Sequence, residues 1–310
     1  MVISRPVPSR SSDSGSAPKT VQLSVIIPCL NLGSVIGDQL AALAAQQYDQ
    51  CWEVLIADNG STDATRAVVE RFRRHLPNLR YLDASAVRGS SHARNVGATA
   101  ATGDYLIFID ADDIIGQGFL AAMSNALDQH EFAAPRIDAL VLNRTAGSQL
   151  GQHPQYNNLM HYYNPPYLYH VSGTGIAIRR TTFERLGGFD EAMLRLQDSE
   201  FCFRAQLNGI AIAFVPEATM FGRNRRSLKE IMRQSYNWGK AEVKLVERYR
   251  APLSLPRLIY LWVRYLARWA KLLLWVLQWR SVADRNRWAQ EVARQLGIAE
   301  AALRLRKAPI

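Results

Sequence analysis

Cysteine is scarce: the 310 residues hold three, Cys29, Cys51 and Cys202. The number is odd and no pair has metal-ligand spacing, so neither a disulfide framework nor a zinc site organises the chain. Buried, reduced thiols are expected. The first twenty residues are poor in apolar side chains and rich in Ser, Pro and Arg. They hold no apolar core long enough for a signal peptide, which leaves residues 1–20 as a disordered segment and the folded part in the cytosol. No internal repeat and no nucleic-acid motif occurs, so nucleic acid is not an expected partner. No histidine follows His170.

Positive charge is plentiful but uneven. From Gly222 to Ile310 there are twenty Lys or Arg against six Asp or Glu, a net +14, which leaves the rest at −4 within the total of +10. A basic tail on a mildly acidic body points to an anionic surface as the tail's partner. Within it, Leu258 to Gln278 is long enough to cross a bilayer, yet Arg264, Arg268 and Lys271 share one helical face. Cations at the midplane are costly, so an in-plane amphipathic helix with Trp262, Trp269 and Trp275 near the headgroups is expected. The competing reading packs this helix on the body, or on a second copy, with its cations as the wet face. Ser227 to Arg250 would widen the basic patch.

The first half is a series of strand signals, each followed by helical spacing. Val21 to Ile27 reads as a strand stopped by Pro28, and Gly33 to Gln47 as a helix. Trp52 to Ala57 is a second strand, followed by a helix that Thr62 or Asp63 can cap. Leu79 to Leu82, a small-residue helix from Ser90 to Ala101, and Tyr105 to Ile109 complete the series. This alternation argues for a parallel, doubly wound sheet, whose ligands bind beyond the carboxyl ends of the strands. Asp58 and the cluster Asp110, Asp112, Asp113 fall at such ends and are expected to line one crevice. The second half is less regular. It offers strands at Ile137 to Leu142, Val171 to Ile178 and Ile210 to Val215, a loop from His153 to Pro166, and helices at Arg180 to Leu186 and Ser199 to Leu207.

Three carboxylates within Asp110 to Asp113 repel one another and raise each other's pKa unless a cation compensates them. An Asp-x-Asp at a strand end suits a hard divalent cation, Mg2+ or Mn2+, held by one or two carboxylates and the phosphates of a substrate. Alone the pair is unspecific, since acidic pairs open many solvated loops.

The combination is specific. Pro28 follows the first strand, Asp58-Asn59-Gly60-Ser61-Thr62-Asp63 the second, Ala93-Arg94-Asn95-Val96-Gly97 lies on a helix, and Gly103-Asp104-Tyr105 leads into Phe108-Ile109-Asp110-Ala111-Asp112-Asp113. Gly187-Gly188-Phe189-Asp190-Glu191 and Gln197-Asp198-Ser199-Glu200 come later. In this order, over roughly Val21 to Lys240, the chain resembles the family 2 glycosyltransferases. The resemblance implies an α/β GT-A fold, a doubly wound mixed sheet in a catalytic domain over 21–222, with a helical, basic extension over 223–310. It implies a metal-dependent, inverting transfer from a nucleoside diphosphate sugar to a hydroxyl of a glycan or lipid-linked glycan. Uridine is the family's usual base, and one Asp can serve GDP or dTDP donors as well.

Residue by residue, the resemblance implies that Asp58 bonds the base, Pro28 flanks it, and Arg94 lies near base and phosphates. Asp110 faces the ribose, Asp112 holds Mn2+ or Mg2+, and Asp198 is the general base. A leaving diphosphate needs positive charge and the acceptor hydroxyl needs a base, and one carboxylate opposite the leaving group suggests single displacement with inversion. Two positions depart from the pattern. Gln197 replaces the first carboxylate of an acidic pair, and Phe221 stands about where many relatives place a histidine of the metal and phosphate site. Arg223 and Arg225 follow and are candidates to hold the diphosphate.

These departures motivate an alternative, a non-catalytic nucleotide-sugar-binding subunit of a glycan-assembly complex. His170 and Gly173 are candidates for the acceptor side, and Tyr162, Tyr163 and Tyr167 for a stacking wall or a packed lid. Asp190 and Glu191 are read as a solvated turn, Asp113 as a second metal contact or a helix cap, and Glu200 as a solvated helix residue. A peripheral position on the cytoplasmic face of the membrane is expected, and a homo-oligomer stays open.

Overall fold

The structure is a computed structural model that describes residues 21–143, 152–225, 227–250, 254–305 and 307. The segment 1–20 lies outside the described residues. The first half runs β1 (Leu23–Cys29), α1 (Ile36–Ala44), β2 (Trp52–Asp58), α2 (Thr65–Phe72), β3 (Leu79–Asp83), α3 (Ser90–Ala100) and β4 (Tyr105–Phe108). Then follow β5 (Ile114–Ile115), α4 (Phe119–Gln129), β6 (Phe132–Asp138), the hairpin strands β7 (Met160–His161) and β8 (Tyr169–His170), and β9 (Ile176–Arg179). The chain continues with α5 (Arg180–Arg185), α6 (Gln197–Leu207), β10 (Ile212–Phe221), α7 (Leu228–Tyr249), α8 (Leu255–Trp275) and α9 (Val282–Leu305).

Eight strands form one sheet in the order β3-β2-β1-β4-β9-β6-β10-β5. The four on the β3 side are parallel, whereas β9 runs antiparallel to both β4 and β6, so the sheet is mixed. Alternate residues of β1 serve opposite layers, as the two-residue period of a strand requires. Leu23, Val25 and Ile27 pack with Ile36, Leu40 and Val69 of α1 and α2 and with Phe119 of α4. Ile26 faces the other layer with Ala98, Phe183 and Phe201 of α3, α5 and α6. Burial on both faces explains why β1 and β2 read as unbroken apolar runs.

Pro28 does not stop β1 but lies inside it, opposite Ala57. Even-numbered residues of β1 turn their polar backbone toward β4, as the bond from Ile109 N–H to Ile26 O shows. The β4 ladder ends at Ile26, so the missing N–H of Pro28 breaks no pairing. The strand expected at Ile137 to Leu142 is instead Phe132–Asp138, and a 3-10 turn occupies Val141–Asn143. Pairing with β10 overrides the poor strand propensity of Ala133, Ala134 and Pro135. Val171 to Ile178 is strand only from Ile176, and Cys51 is half-buried rather than buried.

The C-terminal helices form a further layer. Phe203 of α6, Tyr162 of the hairpin, Val243 and Val246 of α7, Tyr265 of α8 and Ile298 of α9 share one apolar cluster. Helices α7 and α9 touch through glycine: a Cβ on Gly297 would lie 2.0 Å from Tyr236 O, and one on Gly239 2.1 Å from Arg294 O. Gly297→Ala should therefore destabilise the protein although alanine favours helix by about 1 kcal/mol. The helices must separate, at a cost on the order of 3 kcal/mol, read as a lower melting temperature in calorimetry.

Helix α8 is turned the opposite way from the packed-helix reading of its sequence. Arg264 donates to Asn164 Oδ1 at 2.7 Å, and burial lowers the pKa of Arg268. Arg264 and Arg268 face the protein, while Lys271, Ile259, Leu266, Leu273 and Leu274 are exposed. No helix among the described residues is long and apolar enough to cross a membrane.

Candidate active site

The carboxyl ends of β2, β1 and β4 lie side by side, and the chain runs from β1 to β2 and β3 on one flank before crossing to β4 on the other. This is the switch point at which doubly wound sheets bind ligands. Asp58 ends β2, and Asp110 follows β4 two strands away, so the two stand about 10 Å apart at the strand spacing of a sheet. That is the span of a nucleoside diphosphate rather than of one ion.

At the β2 end, both oxygens of Asp58 accept the Ser61 N–H, at 3.1 and 3.2 Å, and Asp58 Oδ1 also accepts the Ser61 hydroxyl. Burial first, then the hydrogen bond to Asp58, raises the Tyr81 phenol and keeps it protonated. The loop after β1 is tied to the loop after β2: Asn31 N–H donates to Ser61 Oγ at 2.9 Å, and Thr62 N–H to Asn31 Oδ1 at 2.8 Å. Asp63 accepts from Thr65 N–H and Gly33 N–H, so it satisfies the start of α2 from outside. Asn59 Oδ1 accepts Gly89 N–H at 2.8 Å and its amide donates to Val87 O, which fixes the approach to α3.

Beyond β4, one carboxylate oxygen each of Asp110, Asp112 and Asp113 lies within 4.8 Å of the others. Burial, then Asp112 and Asp110, pushes the Asp113 carboxyl well above the usual carboxylate range. Burial and Asp110 also raise Asp112, against the opposing pull of Arg225 and Arg223. Arg225 lies 3.6 Å from Asp112, Arg223 Nε donates to Asp112 O at 3.0 Å, and Arg223 N–H donates to Asp113 at 2.9 Å. The other arm of Arg223 reaches Asp38 at 3.0 Å. Asp113 caps no helix, because β5 follows it directly. The donor set is all carboxylate oxygen, which fits a hard divalent cation.

The antiparallel β9 begins where the parallel strands end, so the turn before it meets the same edge. Gly175 N–H donates to Phe108 O, and Asp110 N–H to Thr174 Oγ1. Asp198, in the first turn of α6, arrives at this turn from the other side. A Cβ on Gly173 would lie 3.4 Å from Asp198 Oδ2 and 3.1 Å from Arg94 Nη2. Arg94 is 2% exposed, donates to Asp110 at 2.6 Å, and carries Nε and Nη1 buried with no hydrogen-bond partner among the described residues. Burial raises the Asp198 carboxyl, against the Ser199 N–H and the Arg94 charge. One guanidinium thus stands between Asp110 and Asp198, two residues that the sequence separates by almost ninety positions.

His170 Nδ1 lies 3.0 Å from Ser199 Oγ, directly after Asp198, and its ring packs edge-on against the buried Tyr162. Tyr163 and Tyr167 are exposed. Burial pushes both His170 and His153 down to about 4. A folded pKa below the unfolded 6.5 means the contribution is whole above pH 6.5 and lost as pH falls toward 4. Each histidine should cost about 2 kcal/mol by pH 5. Melting temperatures at pH 7 and pH 5 measure this, and a His153→Gln, His170→Gln variant should flatten the difference.

Several residues carry more than the sequence suggested. Glu200 is buried, not solvated, and pairs with Arg204 at 2.8 Å and the Tyr249 hydroxyl at 3.0 Å. Asn95 clasps the Gly187 to Glu191 turn, exchanging bonds with Phe189 N–H and O at 2.9 Å and donating to Glu191 at 2.8 Å. Asp190 pairs with Arg248 of α7. Phe189 lies under the Arg94 guanidinium, 5.5 Å away. Gln197 donates to Ser90 Oγ at 3.3 Å, and Phe221 pairs with Ile114 in the sheet. Thr174, in a loop, and Asp38, in the first turn of α1, had no signal of their own, although the run Ser172-Gly173-Thr174-Gly175 marks a close backbone approach.

A family model described as glycosyl transferase family 2 matches residues 24–187, more than half of the chain. ExoA, a succinoglycan biosynthesis protein of Rhizobium meliloti, is 26% identical over 273 residues, 86% of this chain and 82% of that protein. TarS of Staphylococcus aureus strain MW2, a poly(ribitol-phosphate) beta-N-acetylglucosaminyltransferase, is 27% identical over 210 residues, and the match spans 36% of its length. Among solved structures, a mannosyltransferase of Pyrobaculum calidifontis, in complex with GDP-Man and Mn2+, superposes with a TM-score of 0.63 at 19% identity. That match covers 93% of this chain and 89% of the other. At such identity the likeness shows the fold alone. The family match, spanning both acidic strand ends, shows that this chain belongs to glycosyl transferase family 2 and is a glycosyltransferase of GT-A fold.

Proposed function

We propose that the protein is a metal-dependent, inverting transferase that moves a sugar from a nucleoside diphosphate sugar to a hydroxyl of a glycan or lipid-linked glycan. The observation that carries this reading is the meeting of the three-carboxylate cluster and Asp198 at one edge, joined through buried Arg94. Asp58 binds the base with Pro28 flanking it, Asp110 takes the ribose, and Arg94, bonded to Asp110, lies near the base and phosphates. Asp112, with Asp110 and Asp113 beside it, would hold Mn2+ or Mg2+, which supplies Lewis-acid stabilisation of the diphosphate when bound.

Asp198 accepts the proton of the acceptor hydroxyl as that oxygen attacks C1 and the C1–diphosphate bond breaks. Its burial raises its basicity at little cost in position. Arg223 and Arg225 face the departing diphosphate and take the place that a histidine fills in many relatives. Two family structures support a nucleotide-sugar donor: S. aureus TarS 1-349 is solved with UDP-GlcNAc, and the Pyrobaculum enzyme with GDP-Man. A UDP-sugar is the donor we favour. His170 and Gly173 then border the acceptor. A thermal-shift panel of nucleoside diphosphate sugars with and without Mn2+ tests the reading. One donor should raise the melting point only with the metal present, and no response to any donor would overturn it.

A further inference from the structure

The exposed face of α8 has no partner among the described residues, and its composition says what covers it. Ile259, Trp262, Leu266, Leu273, Leu274 and Leu277 recur at spacings of three, four and seven and are 42 to 84% exposed. From Ile259 to Leu277, in the short turn Val276–Gln278, the stripe runs about 27 Å at the helical rise. Single exposed leucines are ordinary, but a continuous stripe of this length marks an interaction surface. The opposite face is anchored: Tyr265 OH donates to Gln295 O, Trp288 Nε1 to Leu272 O, and Arg264 to Asn164.

Between Glu247 and Asp284 the sequence has no acidic residue, while Arg257, Arg264, Arg268, Lys271 and Arg280 fall inside that interval. Lys271 and Arg280 are exposed. A seam between two copies of this helix would need acidic residues to flank its apolar stripe, and the helix has none to offer. An apolar face rimmed only by cations is complementary to a bilayer with anionic headgroups.

We propose that α8 docks in the plane of an anionic lipid surface, its Leu and Ile stripe in the acyl boundary and Lys271 and Arg280 at the headgroups. The β7–β8 hairpin is tied to the protein-facing side of α8, because Asn164 in its loop accepts from Arg264. Tyr163 and Tyr167 in this loop are 79% and 59% exposed, aromatic side chains of the type that settle at the headgroup level. From the hairpin, His170 leads to Ser199 and so to Asp198. The helix that meets the lipid is thereby connected to the acceptor side of the proposed site, which suits an acceptor anchored in the membrane by its lipid. That last point rests on the transferase reading, but lipid docking does not.

The test is flotation of the full chain with vesicles of phosphatidylcholine alone and of phosphatidylcholine with one third phosphatidylglycerol. The protein should float with the anionic vesicles, and at least about tenfold less with the neutral ones. Leu266→Glu with Leu273→Glu, both on the exposed stripe, should abolish flotation and leave circular dichroism and the donor thermal shift unchanged. Lys271→Glu should weaken flotation about fivefold on anionic vesicles only. Absence of flotation, equal flotation of the Leu266→Glu, Leu273→Glu variant, or a dimer that this variant dissociates without any vesicle binding would each overturn the proposal. Failure of donor binding with intact flotation would instead remove the enzymatic reading alone.

Discussion

Asp198→Asn should lower the rate of transfer by about 10²- to 10⁴-fold while changing donor affinity by less than about threefold. The substitution keeps the shape of the side chain and its contacts at the first turn of α6, where Ser199 N–H donates to Oδ1 at 2.8 Å. What it removes is the acceptor for a proton. Arg94 stays bonded to Asp110, so the donor side is undisturbed. Turnover with a transferable acceptor, set against donor affinity by calorimetry, separates the two effects. A pH profile adds a second reading: burial raises the Asp198 carboxyl, so the acid limb of wild-type turnover should lie above the ordinary carboxylate range and vanish in the variant. Wild-type turnover in Asp198→Asn would place the base elsewhere.

Asp112→Asn should abolish the Mn2+-dependent donor thermal shift and reduce transfer by at least about a hundredfold, as chelation of the wild-type protein should. Its signature is that the metal-free variant becomes more stable, not less. Asp110, Asp112 and Asp113 crowd like charges that Arg223 and Arg225 offset only in part. Neutralising the middle one relieves repulsion worth about 1 kcal/mol, or roughly 2–4 °C in melting temperature for a domain of this size. Melts in a chelator and in Mn2+ should therefore move in opposite directions relative to wild type. A site that keeps strain for the sake of its ligand behaves this way, whereas a purely structural carboxylate would lose stability in both.

The parallel half of the sheet was legible because β1, β2 and β4 are buried on both faces and read as continuous apolar runs, and because β2 and β4 end in turns dense with Asp. The acidic residues at those ends needed only the rule about carboxyl edges to be brought together. The second half was harder for a definite reason. Strand β6 is built on Ala133, Ala134 and Pro135, whose strand character comes wholly from β10 and β9 beside it. Arg94 could be found by motif but not its place between two carboxylates, since that depends on how α3 and α6 converge. Glu200 looked solvated because its partners Tyr249 and Arg248 come from α7, almost fifty residues on. Arg264 and Arg268 of α8 were expected on one face with Lys271, yet these two turn to Asn164 and the acidic pair Glu242 and Glu291 while Lys271 stays exposed.

Arg94 is bonded to Asp110 and lends its charge to Asp198, and this has a bearing on the order of events. On the proposed assignment, a donor that engages Asp110 also fixes the cation beside Asp198, so loading one substrate readies the position that receives the other. Linkage is reciprocal: acceptor already in place must tighten the grip on the sugar nucleotide by the same factor. A cleft wired in this manner discourages wasteful hydrolysis, because water alone leaves the second half unfilled.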